Sequence, residues 1–347
     1  MTSPEPETNS TIPGPVFKIL AIDGGGFKGL YTACVLRELE KHFGVLGDRF
    51  DMLCGTSTGA LIVLPLSIGK SAAEIADFYK ECGPKIFPDG GKVGTLRRWL
   101  RFAWHKSKYG DTALKQAAQH ILGEHRMGDA NALLCVPSFN FTSSRPRVFK
   151  TDHDGFLNRD SQLFMWEVAA ATAAAPVFFP IATCQENDEP VYYIDGGIWA
   201  NNPALVGLSE AARFFAGPGK PYGSVRILSL EGINPSSGRL ASNSYPQSLL
   251  GFATELVDAT MQGQQCSTEY FMRFLAPSLS FPVDYVRVEA PKISTKQARG
   301  VQLDMASRAA IQTLTNYGKD AGHAAKQRPE VQTFFENDAR KLLRRNS

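Results

Sequence analysis

Ser57 has the most particular setting of any reactive side chain in this sequence. It lies in Gly55-Thr56-Ser57-Thr58-Gly59, after the short run Phe50–Cys54 and before the apolar run Leu61–Leu66. Gly-x-Ser-x-Gly between a strand and a helix is the pattern of a nucleophile elbow, in which a serine is held on a sharp turn. Side chains two positions before and two after would collide across such a turn, so both positions favour glycine. The hydroxyl then stands at the start of a helix, whose amides favour developing negative charge. The plain alternative is a helix start with Ser57 or Thr56 as a simple N-cap.

A serine nucleophile needs an acceptor for its proton and donors for the oxyanion that its attack creates. Asp23-Gly24-Gly25-Gly26-Phe27-Lys28-Gly29 offers donors, since bare glycines let backbone N–H groups converge beside Ser57. Two other readings share that loop. Gly24 to Gly29 fits G-x-G-x-x-G, the dinucleotide fingerprint, but Asp51 begins the next strand where an acid ending it is required. Phosphate loops of the sugar-kinase kind also repeat Asp-Gly-Gly, as Asp195-Gly196-Gly197 would. For the base, His323 follows Asp195 and would complete a Ser–Asp–His esterase, yet Gly322 to Lys326 reads as the polar face of a plain helix. Asp195, at a strand end beside two glycines, is the better partner, because a carboxylate within hydrogen-bond reach in a dry site can take the proton directly. Without the other two motifs it would read as a turn-forming Asp-Gly. His120 to His125 is one residue too long for H-x-x-E-H, so no metal is expected, and no cofactor.

These residues require a scaffold that brings distant loops together. Val16–Ile22 reads as a buried strand, Leu30 to His42 as a helix, and a second strand runs into the elbow. Strand–loop–helix–strand–elbow–helix is a parallel α/β beginning. Helices are expected over Ser71–Lys80, Thr112–Leu122, Ser161–Thr172, Ala204–Phe215 and Met305–Ala325. Strands are expected over Leu133–Phe141, Arg147–Thr151, Val191–Ile194, Val225–Leu230 and Asp284–Glu289. Asn234 to Ser248 reads as a mobile loop.

The 347 residues, 43% hydrophobic and 20% charged, suit one large globular catalytic domain over 16–330. Proline-rich 1–15 reads as a disordered tail and 331–347 as a basic one. A net charge of +3 is too small to argue for stable nucleic-acid binding. The six cysteines are widely spaced, and no leader-like run is evident, so buried thiols of a cytoplasmic protein are expected. Residues 85–110 interleave Lys85, Lys92, Arg97, Arg98, Arg101, Lys106 and Lys108 with Trp99, Phe102, Trp104 and Tyr109. That insertion either packs its aromatics on the body or meets anionic headgroups as an interfacial segment.

Together, Asp23 to Gly29, Gly55 to Gly59 and Asp195 to Gly197 resemble the patatin-like phospholipases. Ala174-Ala175-Pro176, Phe179-Pro180 and Asn201-Asn202-Pro203 strengthen the match, which is good over about 16–215 and loose beyond. The resemblance implies a three-layer α/β/α sandwich with a mostly parallel sheet. It implies Ser57 as nucleophile and Asp195 as base of a dyad, with Gly24, Gly25 and Gly26 forming the oxyanion hole. Lys28, Gly29, Gly55, Gly59, Gly196 and Gly197 support these motifs, Lys28 either fixing the glycine loop or lying solvated. The implied substrates are acyl esters of membrane phospholipids, met at the bilayer surface. Leu230-Glu231-Gly232 departs from the Gly-Thr-Gly of many relatives. This compact form is similar to bacterial effectors of anti-phage defence that a cyclic nucleotide activates. A cyclic nucleotide activator and a homo-oligomer are therefore expectations, and a catalytically weak nucleotide sensor is the rival of another class.

Overall fold

A computed structural model describes residues 14–88, 107, 109–186, 189–233, 249–293, 300–301 and 303–336. Eight strands form one sheet: β1 (Val16–Ile22), β2 (Met52–Gly55), β3 (Leu133–Asn140), β4 (Arg145–Lys150), β5 (Ala182–Glu186), β6 (Glu189–Asp195), β7 (Ser224–Leu230) and β8 (Val283–Val288). Their order is β5-β6-β3-β2-β1-β7-β8, with β4 also paired to β3. Strands β3, β2, β1, β7 and β8 run parallel, and the antiparallel pairings lie at the β3–β4, β3–β6 and β5–β6 ladders. The sheet is therefore mostly parallel, as expected.

The helices are α1 (Gly29–Phe43), α2 (Ala60–Ser67), α3 (Ala72–Ile86), α4 (Thr112–Leu122), α5 (Met165–Thr172), α6 (Gly197–Ala200), α7 (Ala204–Phe214), α8 (Leu249–Phe274), α9 (Arg308–Ala325) and α10 (Pro329–Gln332). Alternation along the strands sorts them into layers. Leu20 and Ile22 of β1, Leu53 of β2 and Leu228 of β7 face a core shared with α1, α2, α3, α5 and α9. Phe17, Ile19 and Ala21, with Met52, Cys54 and Ile227, face a second core under α7 and the end of α8. Buried on both faces, β1 reads as an apolar run broken only by Lys18, because helices cover both of its sides. The three-layer α/β/α sandwich follows.

Several local signals work as the sequence suggests. Ser71 caps α3 in a reciprocal pair with Glu74, and Ser307 caps α9 by accepting from Ala310 N–H. Others do not. The helix expected from Ser161 begins at Met165, because Asn158–Asp160 first forms a separate 3₁₀ turn. Likewise α9 starts at Arg308 and not Met305, where Ser307 ends the extended chain. The strand β5 and the 26-residue helix α8 were not anticipated at all.

The expected boundary at residue 330 also moves. Val331, Phe334 and Phe335 are buried, Phe335 stacks on Phe43 at 4.1 Å, and Lys18 Nζ donates to the Phe334 carbonyl at 2.8 Å. Apolar side chains in the sequence Val331-Gln-Thr-Phe-Phe335 close the amino-terminal end of the sheet. The tail residues 1–13, the loop 234–248, the terminal 337–347 and most of the 85–110 insertion lie outside the described residues. Of that insertion's aromatics, Tyr109 is buried against Phe87 and Phe179.

Candidate active site

The parallel strands bring two of the three motifs together by register alone. Ile22, the last residue of β1, is the ladder partner of Gly55, the last of β2. The Asp23–Gly29 loop and the elbow therefore leave the sheet side by side at its carboxyl end, where open α/β sheets place their sites. The approach is close enough to exclude larger residues. A Cβ on Gly59 would lie 2.3 Å from the Ile22 carbonyl oxygen, and one on Gly55 would lie 2.5 Å from the Gly59 oxygen. The third motif arrives from the antiparallel side, where Ser138 of β3 pairs with Asp195 at the end of β6.

At the junction Ser57 Oγ donates to Asp195 Oδ2 at 2.6 Å. Ser57 adopts φ 54°, a left-handed conformation rare for a non-glycine residue, at a cost of about 1–3 kcal/mol that the surrounding bonds must hold. Asp195 is fully buried, and its second oxygen, Oδ1, accepts Gly197 N–H at 2.7 Å. Burial pushes its carboxyl up to about 6, and the hydrogen bonds from Ser57 and Gly197 offset only part of that rise. A carboxylate so placed is ionised at neutral pH yet more basic than an exposed one, which suits a proton acceptor. Thr56 does not cap the helix. Its hydroxyl donates to the Ala200 carbonyl at 2.6 Å, and Ser57 makes no capping bond.

The glycine loop lies against this pair, and its three amides differ. Gly24 N–H donates to the Asn201 carbonyl at 3.0 Å, so it is already committed and cannot also serve an oxyanion. Gly25 and Gly26 donate to no acceptor among the described residues, and both line the cavity that contains Ser57 and Asp195. Of the expected trio, the Gly24 amide is thereby already engaged. Lys28 is 5% exposed, which overturns its reading as a solvated surface lysine. Burial lowers its ammonium to about 8, with the Asp258 carboxylate opposing that shift. Gly29 sits where a Cβ would meet the Tyr79 hydroxyl at 2.8 Å, Gly196 packs on the Pro137 carbonyl, and Gly197 lies beside Met261.

The cavity over the dyad opens to solvent, and the space within it and its open mouth together comes to about 710 Å³. Its walls are almost wholly apolar: Phe78, Cys82 and Ile86 from successive turns of α3, Leu114 of α4, Phe178 and Phe179, and Val257 and Met261 of α8. Among the described residues no histidine lines it. His323 instead faces Glu38 across the α1–α9 seam, Nε2 to Oε2 3.6 Å, so the sequence-level Ser–Asp–His alternative is not assembled.

Two site-supporting groups escaped the sequence. Arg287 of β8 places Nη1 3.0 Å from Asp23 Oδ1 and Nη2 2.6 Å from Oδ2, fixing the start of the glycine loop. Gln265 of α8 donates to the same carboxylate at 2.7 Å. The available signal was Arg287 between two valines at the end of the strand Val283–Val288. Glu231, the departure from Gly-Thr-Gly, sits 4.0 Å from Arg287 Nη2 and accepts Ala290 N–H at 2.9 Å, so its loop is anchored to the β8 edge. The dinucleotide reading fails physically, since Asp51 is held by Lys18 N–H and the Tyr222 hydroxyl at the opposite end of the strands.

A parallel α/β sandwich with a serine–carboxylate pair, a glycine loop and an apolar cavity at the strand ends defines a class of lipid acyl hydrolases. The sequence model described as "Patatin-like phospholipase" matches residues 20–208, more than half of the 347. The chain belongs to the patatin-like phospholipase family and is a lipid acyl hydrolase. It is 32% identical over 327 residues to a "cGAMP-activated phospholipase" of Pseudomonas aeruginosa, covering 94% of this chain and 93% of that one. A protein of the same description from Vibrio cholerae is 30% identical, covering 94% and 96%. Among solved structures, VipD of Legionella pneumophila aligns over 93% of this chain and 68% of its own, with TM-score 0.44 and 12% identity. Among the described residues no helix is long and apolar enough to cross a membrane.

Proposed function

We propose that Ser57 attacks the carbonyl of a phospholipid acyl ester while Asp195 takes its proton. The observation that carries this is the 2.6 Å bond from Ser57 Oγ to a fully buried Asp195, both lining an apolar cavity. The acyl chain lies among Phe78, Cys82, Ile86 and Leu114, and the ester carbonyl oxygen turns toward the amides of Gly25 and Gly26. Each such donor is worth about 2.7–4 kcal/mol of transition-state stabilisation. The alcohol leaves with the proton that Asp195 holds, giving an acyl-serine. Asp195 then activates a water, whose attack on the acyl carbonyl releases the fatty acid and regenerates Ser57. No metal or cofactor enters this scheme.

The relatives support a regulatory reading as well. Two bacterial proteins that match across nearly the whole chain are described as cGAMP-activated, which supports a cyclic dinucleotide as the activator here. In that reading the protein is a cytoplasmic effector of antiviral defence that meets the inner membrane peripherally. Fatty-acid release from phospholipid vesicles, measured with and without a panel of cyclic dinucleotides, tests both parts. Stimulation by one member, abolished in Ser57→Ala, is expected. Equal release across the panel would remove the activator and leave the lipase, and release by Ser57→Ala would remove the dyad.

A further inference from the structure

The last turn of α5 touches both halves of the Ser–Asp pair. Ser57 N–H donates to Thr172 Oγ1 at 2.9 Å, and that same hydroxyl donates onward to the Pro137 carbonyl at 2.5 Å. The Thr172 carbonyl accepts Gly196 N–H at 3.2 Å, and the Ala174 carbonyl accepts Asp195 N–H at 3.0 Å. Thr172 is fully buried. Pro137 belongs to β3, whose next residue, Ser138, is the ladder partner of Asp195.

We infer that Thr172 is a positioning residue for the hydrolysis, fixing the nucleophile's backbone relative to the strand that carries the base; the inference rests on the Ser57–Asp195 reading proposed above. The chemistry leaves few substitutes. The group at this point must accept one hydrogen bond and donate another from a single atom, which among small side chains only a hydroxyl does. Ser57 also sits in a left-handed conformation that relaxes unless its amide is held. Losing the Thr172 hydroxyl leaves two buried backbone groups, Ser57 N–H and Pro137 C=O, without that partner. The expected relaxation rotates the elbow and lengthens the Oγ–Asp195 bond. A misplacement of about 1 Å at reacting groups costs up to roughly 100-fold in rate.

Thr172→Val keeps the shape and removes the hydroxyl, whereas Thr172→Ser keeps the hydroxyl. The assay is vesicle phospholipid hydrolysis by the full chain, with active sites counted by fluorophosphonate titration. Thr172→Val is expected to lose roughly 10–100-fold in kcat per titrated site with KM little changed. Its labelling rate should fall in parallel, and its acid pH limb should move to higher pH because Asp195 loses part of the Ser57 hydrogen bond. Thr172→Ser should stay within about threefold of the parent on this geometry. A purely structural threonine would lower the fraction of competent sites and leave kcat per site alone, and that outcome overturns the proposal. Should Thr172→Val fail to fold, Thr172→Ala against Thr172→Ser decides, and equal rates per site overturn it. Full activity in Ser57→Ala would instead overturn the dyad itself, and the role of Thr172 with it; an inactive Ser57→Ala beside a normal Thr172→Val removes Thr172 alone.

Discussion

Arg287 spreads its guanidinium over both carboxylate oxygens of Asp23, at 3.0 and 2.6 Å, with both side chains almost wholly out of solvent. Asp23 opens the glycine loop and Arg287 comes from β8, at the sheet edge beyond β7, so the pair ties a late strand to the first motif. Burial raises the Asp23 carboxyl, and Arg287 is the strongest influence opposing that rise. Removing the cation leaves an uncompensated buried charge, a change that typically costs about 3–5 kcal/mol. Arg287→Leu should therefore lower the urea midpoint strongly, and Asp23→Asn combined with Arg287→Leu should recover part of the loss. A cost under about 1 kcal/mol, the range of exposed pairs, would show that the pair does not hold the loop.

The Asp195 carboxyl, at about 6, sets a pH dependence of opposite sign for activity and stability. Activity needs the carboxylate, so kcat/KM should rise with pH through about 6 and plateau above. Native Asp195 keeps its proton to higher pH than the unfolded chain, where the carboxyl has its ordinary 3.8. Stability therefore declines as pH rises between those two values, by up to about 3 kcal/mol, and stays at the lower level above. Asp195→Asn should abolish fatty-acid release yet melt above the parent at pH 8, a difference that vanishes near pH 4. A lower melting temperature at pH 8 would mean that burial of this charge is not the dominant effect.

His323→Ala should leave phospholipid hydrolysis unchanged. The ring is nearly half exposed and its partner is Glu38, so the expected loss of stability is under about 1 kcal/mol. Loss of activity in this variant, with the fold intact by circular dichroism, would revive the triad esterase.

How much of this was legible before the structure depended on how local each signal was. Gly55 to Gly59 and the β1 run are short, and backbone geometry dictates their residue types, so the strand, elbow and helix stand where the pattern put them. The helix α8 hid because Gly263 and the polar stretch Gln262–Thr268 interrupt its apolar period, and its stability comes from tertiary contacts such as Gln265 with Asp23. That Gly24 N–H is taken by Asn201 was equally invisible, since the bond joins residues far apart in sequence. Thr172 precedes the Ala-Ala-Ala-Pro run that the sequence offers only as a helix end. Its hydroxyl acquires meaning once β3 brings Pro137 beside it.

The walls of the cavity predict acyl-chain selectivity. Phe78, Cys82 and Ile86 lie one turn apart along α3, so they form a row down one side of the space above Ser57. Tyr79 on the same helix donates to the Thr58 carbonyl at 2.8 Å, which fixes the row relative to the elbow. Cys82→Trp would fill the middle of the row while leaving Ser57, Asp195 and the glycine loop untouched. Release of long acyl chains should fall at least tenfold, whereas hydrolysis of a short soluble ester such as p-nitrophenyl acetate should persist, a loss of about 1.4 kcal/mol or more that is confined to the long substrate. Overpacking costs stability as well, about 1–3 kcal/mol, so rates are compared per fluorophosphonate-titrated site. Unchanged release of long acyl chains would mean that the row does not hold the acyl chain and that the chain leaves Ser57 by another route, toward Val257 and Met261 of α8.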